Sequence, residues 1–230
     1  MPCLAPQSCP AIEAVESESP SWFAAKDDDD EPDPRRASVA ALLERLAGHW
    51  RDNPYALRVA IWEEDQPNAL AFPGGLVVVT TGLLDRAGSE NELAFVLGHE
   101  LGHFQNRDHL RGLGRGIAFA LIAAAIGGSG AGDAAKLAAL SQQLAARGFD
   151  RDQERDADRF GLELVAAEYG HVAGALAFFE QLEGPVDRGD AWLAAYLSTH
   201  PLHDERIETL RDFAAERGFS QGGALRPLGG

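Results

Sequence analysis

His99-Glu100-Leu101-Gly102-His103 is the stretch that decides how this chain is read. On a helix, histidines four residues apart fall on one face, one turn from each other, and both imidazoles can reach one metal ion. The glutamate after the first histidine points about 100° around the helix axis. Its carboxylate then stands beside such an ion rather than on it, where it can take a proton from an attacking water. The plain alternative is a surface helix carrying two solvated histidines.

The flanks predict the helix. Ser89 and Glu92 form a Ser-x-x-Glu capping box ahead of an apolar run. Leu93, Val96, Leu97 and Leu101 recur at helical spacing and define a buried side. One amphipathic helix is therefore expected over about Glu90 to Gln105. Gly98 and Gly102 each weaken it by about 1 kcal/mol relative to alanine. Glycines beside both histidines make sense if a second helix or a substrate backbone packs closely there.

A catalytic zinc site takes three protein ligands and keeps a fourth position open. Two candidates offer the third ligand. His109 has the spacing of H-E-x-x-H-x-x-G-x-x-H, with Asn106 in the glycine place. That pattern also needs a later methionine turn, and the single methionine is Met1; Asp108 to Arg111 reads equally as a polar continuation of the helix. Glu154 is the stronger candidate. It is four residues before Asp158, one helical turn, so the glutamate can bind the metal while the aspartate accepts a hydrogen bond from the far nitrogen of a ligand histidine. Arg151, Arg155 and Arg159 interleave with these acids, and a salt-bridged solvent face would read the same way.

Four ordered signatures now stand together: Asn68-Ala69-Leu70-Ala71-Phe72-Pro73-Gly74-Gly75, the His99–His103 helix, Glu154 to Asp158, and Ser198-Thr199-His200-Pro201 with Arg206-Ile207. In this combination the chain resembles the HtpX-like and CAAX prenyl protease 1-type zinc endopeptidases, a gluzincin family, over roughly residues 38 to 215. The resemblance implies one zinc ion per chain, held by His99, His103 and Glu154, with Glu100 as general base. It implies that Asp158 supports His99. It suggests that His200 faces the cleft, where it could donate a hydrogen bond to the oxyanion, and that Arg206 holds that loop or steadies the same charge; a purely structural loop contact is as good a reading of both. Internal peptide bonds of a peptide or unfolded protein are the implied substrate, in cell-envelope quality control on the periplasmic side of a bacterial membrane. A zinc-stabilised, chaperone-like binding module with little or no peptidase activity is the alternative, and a latent protease with a blocked cleft is another.

The resemblance implies an α+β zincin-like domain, mostly helical with a small three-stranded sheet. The 230 residues suit one domain with tails, and a net charge of −16 argues against a nucleic-acid partner. No apolar run reaches the roughly 18 residues of a membrane span; the longest is Ile117 to Ile126. The best-known members of the resembled family carry spanning helices. This chain looks instead like the soluble catalytic module of the bacterial ones, with membrane proximity supplied by a preceding anchor or by residues 117–126. Oligomeric state is not legible.

Residues 1–36 are expected to be a disordered acidic tail, with nine acids against three bases. Cys3 and Cys9 fall in it and match no zinc motif. Residues 37–218 are expected to form the metallopeptidase domain and 219–230 a flexible tail. Within the domain a helix is expected over Ser38–Trp50 and strands over Leu57–Trp62, Asn68–Phe72 and Leu76–Thr80. Further helices are expected over Lys136–Arg147, Ala173–Leu182 and Ala191–Leu197. The glycine-rich interval Arg107–Gly132 could pack on the core or form a hairpin over the cleft or lipid. An exposed edge strand in front of the metal helix would accept an extended peptide by main-chain hydrogen bonds. His49, His171 and His203 read as surface residues.

Overall fold

In the computed structural model, which describes residues 33–72, 74–108, 151–183, 200 and 205–229, the stripe Val39, Leu42, Leu43 and Leu46 winds into α1 (Arg36–Gly48) and is buried along its length. Three short strands follow: β1 (Arg58–Trp62), β2 (Ala69–Phe72) and β3 (Leu76–Thr80). They form one mixed sheet in the order β1-β3-β2, with β1 parallel and β2 antiparallel to β3. All five β3 residues are buried. A central strand covered on both faces reads as an unbroken apolar run, as Leu76-Val77-Val78-Val79 does. The turn into β3 needs glycine: Gly74 and Gly75 have φ of 83° and 79°, and a Cβ on Gly75 would lie 2.8 Å from the Ala56 carbonyl oxygen.

Helix α2 (Thr81–Arg86) grows directly out of β3, capped by the Thr80 hydroxyl, which accepts from the Leu83 N–H at 3.3 Å. Helix α3 (Glu90–Gln105) has the expected bounds. Ser89 Oγ accepts from the Glu92 N–H at 3.2 Å, and the Glu92 carboxylate accepts from Gly88 N–H at 2.9 Å, one residue before the usual place in a capping box. The expected single buried side is an underestimate: every residue from Asn91 to Phe104 is buried. The reason is position. The helix lies between the sheet with α1 on one flank and α4 (Arg151–Tyr169) on the other.

The α3–α4 crossing is backbone on backbone. Gly98 meets Gly161, and Gly102 meets Ala157. The two glycines beside the histidines thus serve a second helix, and the close approach brings both histidines within reach of α4. A Cβ on Gly102 would stand 2.6 Å from Ala157 Cα and 2.8 Å from its carbonyl oxygen. Gly102→Ala gains about 1 kcal/mol of helix propensity but must spread two buried backbones, an overpacking cost of about 1–3 kcal/mol or more. The melting temperature is expected to fall, whereas Gly48→Ala, with nothing within 4 Å, should hold or raise it. An unchanged or higher melting temperature for Gly102→Ala would refute the close-packing account.

Helix α5 (Ala177–Glu183) begins four residues later than the sequence reading placed it, after a turn through Gly174 at φ 77°. Helix α6 (Arg206–Glu216) was not assigned from sequence. Residues 219–229, expected as a flexible tail, carry no regular structure but are tied to the domain. Val172 N–H donates to the Ser220 carbonyl at 2.8 Å, Glu90 N–H to the Arg226 carbonyl at 2.8 Å, and Leu228 packs on the core. The helices expected over Lys136–Arg147 and Ala191–Leu197, the apolar stretch 117–126, most of the acidic tail and both cysteines lie outside the described residues. Among the described residues no helix is long and apolar enough to cross a membrane.

Candidate metal centre

Helix α3 delivers His99, Glu100 and His103; α4 delivers Glu154 and Asp158; His200 enters from the chain ahead of α6, and Arg206 is the first residue of that helix. All seven are buried. The two ring nitrogens His99 Nε2 and His103 Nε2 are 3.0 Å apart, and His200 Nδ1 is 3.1 Å from His99 Nε2. Glu154 closes the group, with Oε2 at 3.5 Å from His99 Nε2 and Oε1 at 3.4 Å from His103 Nε2. One donor atom from each of His99, His103, Glu154 and His200 lies within 4.8 Å of every other.

The far ring nitrogens fix the tautomers. His99 Nδ1 lies 2.8 Å from Asp158 Oδ1 and His103 Nδ1 lies 3.1 Å from Asp108 Oδ2. A carboxylate only accepts, so both Nδ1 atoms donate. In the neutral rings this leaves two Nε2 lone pairs facing each other at 3.0 Å, an arrangement that calls for a cation between them. Nitrogens each about 2.0–2.1 Å from a tetrahedral zinc ion stand about 3.3 Å apart, close to what is seen. Glu154 Oε2 is buried and makes no hydrogen bond among the described residues, its nearest charged neighbour being Arg206 Nη2 at 3.2 Å. The donor set therefore fits a zinc ion.

The titration directions tell the same story. Burial opposes charge on His103, but its hydrogen bonds to Asp108 and Glu154 and the nearby Glu100 charge outweigh it and push the imidazole up to about 9. Burial pulls His99 down, despite Glu154 and Asp158. Burial would raise the Glu154 carboxyl, yet the facing imidazoles of His99 and His200 and hydrogen bonds from His103 and His200 hold it well below the usual carboxylate range.

Arg206 grips the acid behind His99. Its Nε and Nη2 donate to the two Asp158 oxygens at 2.7 and 2.6 Å, and its guanidinium lies 4.1 Å from the Phe179 ring centroid. Nη2 also stands 3.2 Å from Glu154 Oε2. The salt-bridged reading of α4 describes its opposite face, where Arg155 pairs with Asp152 in solvent at 2.9 Å. Glu100 Oε1 is 3.5 Å from His200 Nε2, and Glu100 Oε2 has no hydrogen-bond partner among the described residues. His200 differs most from expectation: its Nδ1 lies inside the donor cluster rather than merely facing it.

The sequence reading passed over Asp108. On an unbroken helix residue 108 would point about 140° away from residue 103. Helix α3 stops at Gln105 instead, and Arg107, at φ 56°, swings Asp108 back against the ring. His109 and His203 lie outside the described residues. His49 Nε2 pairs with Glu168 at 3.0 Å and His171 Nδ1 accepts from Ala173 N–H at 3.2 Å, both away from the centre.

A helix carrying two histidines and a glutamate, crossed by a second helix that brings one more carboxylate to the same point, on a small mixed sheet, defines the zincin-like class. Within that class the chain belongs to peptidase family M48, whose sequence profile matches residues 34–214. It is 35% identical over 153 residues to the mitochondrial metalloendopeptidase OMA1 of Arabidopsis thaliana, covering 66% of this chain and 30% of that protein. It is 35% identical over 163 residues to a putative beta-barrel assembly-enhancing protease of Vibrio cholerae, covering 65% and 33%. It is 31% identical over 179 residues to metalloprotease YcaL of Escherichia coli, covering 76% and 68%. The chain spans about a third of the length of the first two. These matches carry the family, which is coarser than the HtpX-like or CAAX prenyl protease 1-type branch expected from the motifs.

Proposed function

We propose that this chain is a zinc-dependent endopeptidase that cuts internal peptide bonds of unfolded protein in cell-envelope quality control. The convergence of His99, His103 and Glu154 around one point, with the Glu100 carboxylate beside it, carries the reading. The names of the metalloprotease and beta-barrel assembly-enhancing relatives support the chemistry and the envelope location. The HtpX-like or CAAX prenyl protease 1-type branch rests on the four ordered motifs. The catalytic domain runs from about residue 37, preceded by the acidic tail.

One zinc ion, when bound, supplies a Lewis acid for the scissile carbonyl and acidifies water. His99, His103 and Glu154 hold it, and Asp158 and Arg206 hold His99. Glu100 takes the proton of the attacking water and returns it to the leaving amine. A peptide aligns along β2, which ends the sheet on the side packed against α3. His200, whose Nε2 lies 3.5 Å from Glu100 Oε1, would donate a hydrogen bond to the oxyanion.

The fourth donor favours a second reading, a zinc-stabilised binding module with little or no peptidase activity, because four protein donors close a zinc site. Unfolded casein separates the two. Cleavage that a chelator abolishes and added zinc restores is expected; stoichiometric zinc without cleavage would select the binding module.

A further inference from the structure

The two helix-borne histidines are anchored alike but by different means. His99 rests on Asp158, which Arg206 holds. His103 rests on Asp108, and Asp108 is held in turn by Gln153, whose Nε2 donates to Asp108 Oδ1 at 2.7 Å. His103 and Asp108 are fully buried and Gln153 nearly so. Gln153 immediately precedes Glu154 on α4. That helix therefore reaches His103 from both sides: Glu154 approaches Nε2, and Gln153, through Asp108, fixes Nδ1. Chain geometry is given over to this contact as well, since Arg107, a residue with a Cβ, takes a left-handed φ to bring Asp108 under the ring.

We infer that Asp108 and Gln153 form a positioning relay for His103, in which Gln153 orients Asp108 and Asp108 sets the tautomer and aim of the ligand nitrogen. The relay rests on the zinc reading above. It has three consequences. Losing Asp108 leaves His103 free to turn or to present the wrong nitrogen, and removal of such a partner weakens metal affinity about 10- to 100-fold. Losing Gln153 acts on His103 through Asp108, so its effect there is smaller and does not add to the first. Asparagine at 108 keeps an acceptor oxygen without the charge and falls between.

The test is zinc affinity measured by competition with a chromophoric chelator on the full chain, for Asp108→Ala, Asp108→Asn, Gln153→Ala and the Asp108→Ala/Gln153→Ala double variant. The cobalt(II) absorption spectrum of each reports the donor geometry, which a merely structural loss would leave unchanged. The expected order of affinity is wild type, Gln153→Ala, Asp108→Asn, Asp108→Ala, with the double variant equal to Asp108→Ala and the cobalt bands altered in step. Wild-type affinity and spectrum in Asp108→Ala, with zinc still lost in Glu154→Ala, would overturn the relay and leave the zinc reading standing. Additive losses in the double variant would remove Gln153 from it. A wild-type chain that takes up no zinc would overturn both.

Discussion

Glu100→Gln is expected to keep one zinc ion per chain and to lose proteolysis by about 100- to 10,000-fold, the usual contribution of a positioned general base. The substitution preserves shape and removes only the capacity to accept a proton. Metal retention follows from the geometry: the four converging donors are His99, His103, Glu154 and His200, and Glu100 is not among them. Loss of activity follows from its surroundings. Its carboxylate is buried beside the cluster, one oxygen 3.5 Å from His200 Nε2 and the other without a hydrogen-bond partner among the described residues. A buried carboxylate oxygen left so open is costly unless it has work to do on a bound molecule. Metal analysis beside a casein assay checks both halves. Wild-type cleavage by Glu100→Gln would remove the assigned base, and loss of zinc would show that Glu100 contributes to holding the ion.

The parts of the centre that could be read in advance are those set by local periodicity. Helix α3 was legible to its bounds because Ser89 caps it and its apolar residues repeat at helical spacing. The histidine pair and the Glu154–Asp158 pair were legible because one helical turn puts each on one face. Their burial was not, since Arg151, Arg155 and Arg159 give α4 the look of a solvated helix. Only the crossing at Gly98–Gly161 and Gly102–Ala157 decides which face turns inward. Asp108 was illegible for a different reason: its place depends on a left-handed turn at Arg107, and arginine carries no signal for one. The six-residue α2 is too short for an apolar period to show, and the start of α6 is fixed by the grip of Arg206 on Asp158, a contact 48 residues apart in sequence. Composition alone does not reveal the contacts of the C-terminal residues. Residues 219–229 are polar and rich in glycine, yet their backbone groups pair with Glu90 and Val172.

Glu154→Ala is expected to cost the greatest share of zinc affinity. Glu154 is the one carboxylate among the converging donors, so its loss removes charge as well as a bond. Breaking a buried ionic pair by deleting one member costs about 3–5 kcal/mol, which is roughly 100- to 10,000-fold in affinity. That exceeds the 10- to 100-fold assigned to a carboxylate acting through a histidine, and the two classes of variant are separable by one titration. The fold should survive. Arg206 would lose its 3.2 Å contact with Glu154 but keep both bonds to Asp158 and its place over Phe179, so its charge is not stranded. The pH response gives an independent check. In the metal-free wild type, His103 holds its proton up to about 9, in part through Glu154. A raised folded-state value stabilises below the unfolded value of 6.5 and is lost as pH climbs through about 9. Without Glu154 that loss moves to lower pH. Thermal unfolding in the presence of a chelator, followed from pH 6 to 10, should therefore show an earlier decline in Glu154→Ala than in the wild type. Unchanged zinc content together with an unchanged pH profile would place Glu154 outside the metal's reach and leave His200 as the third ligand.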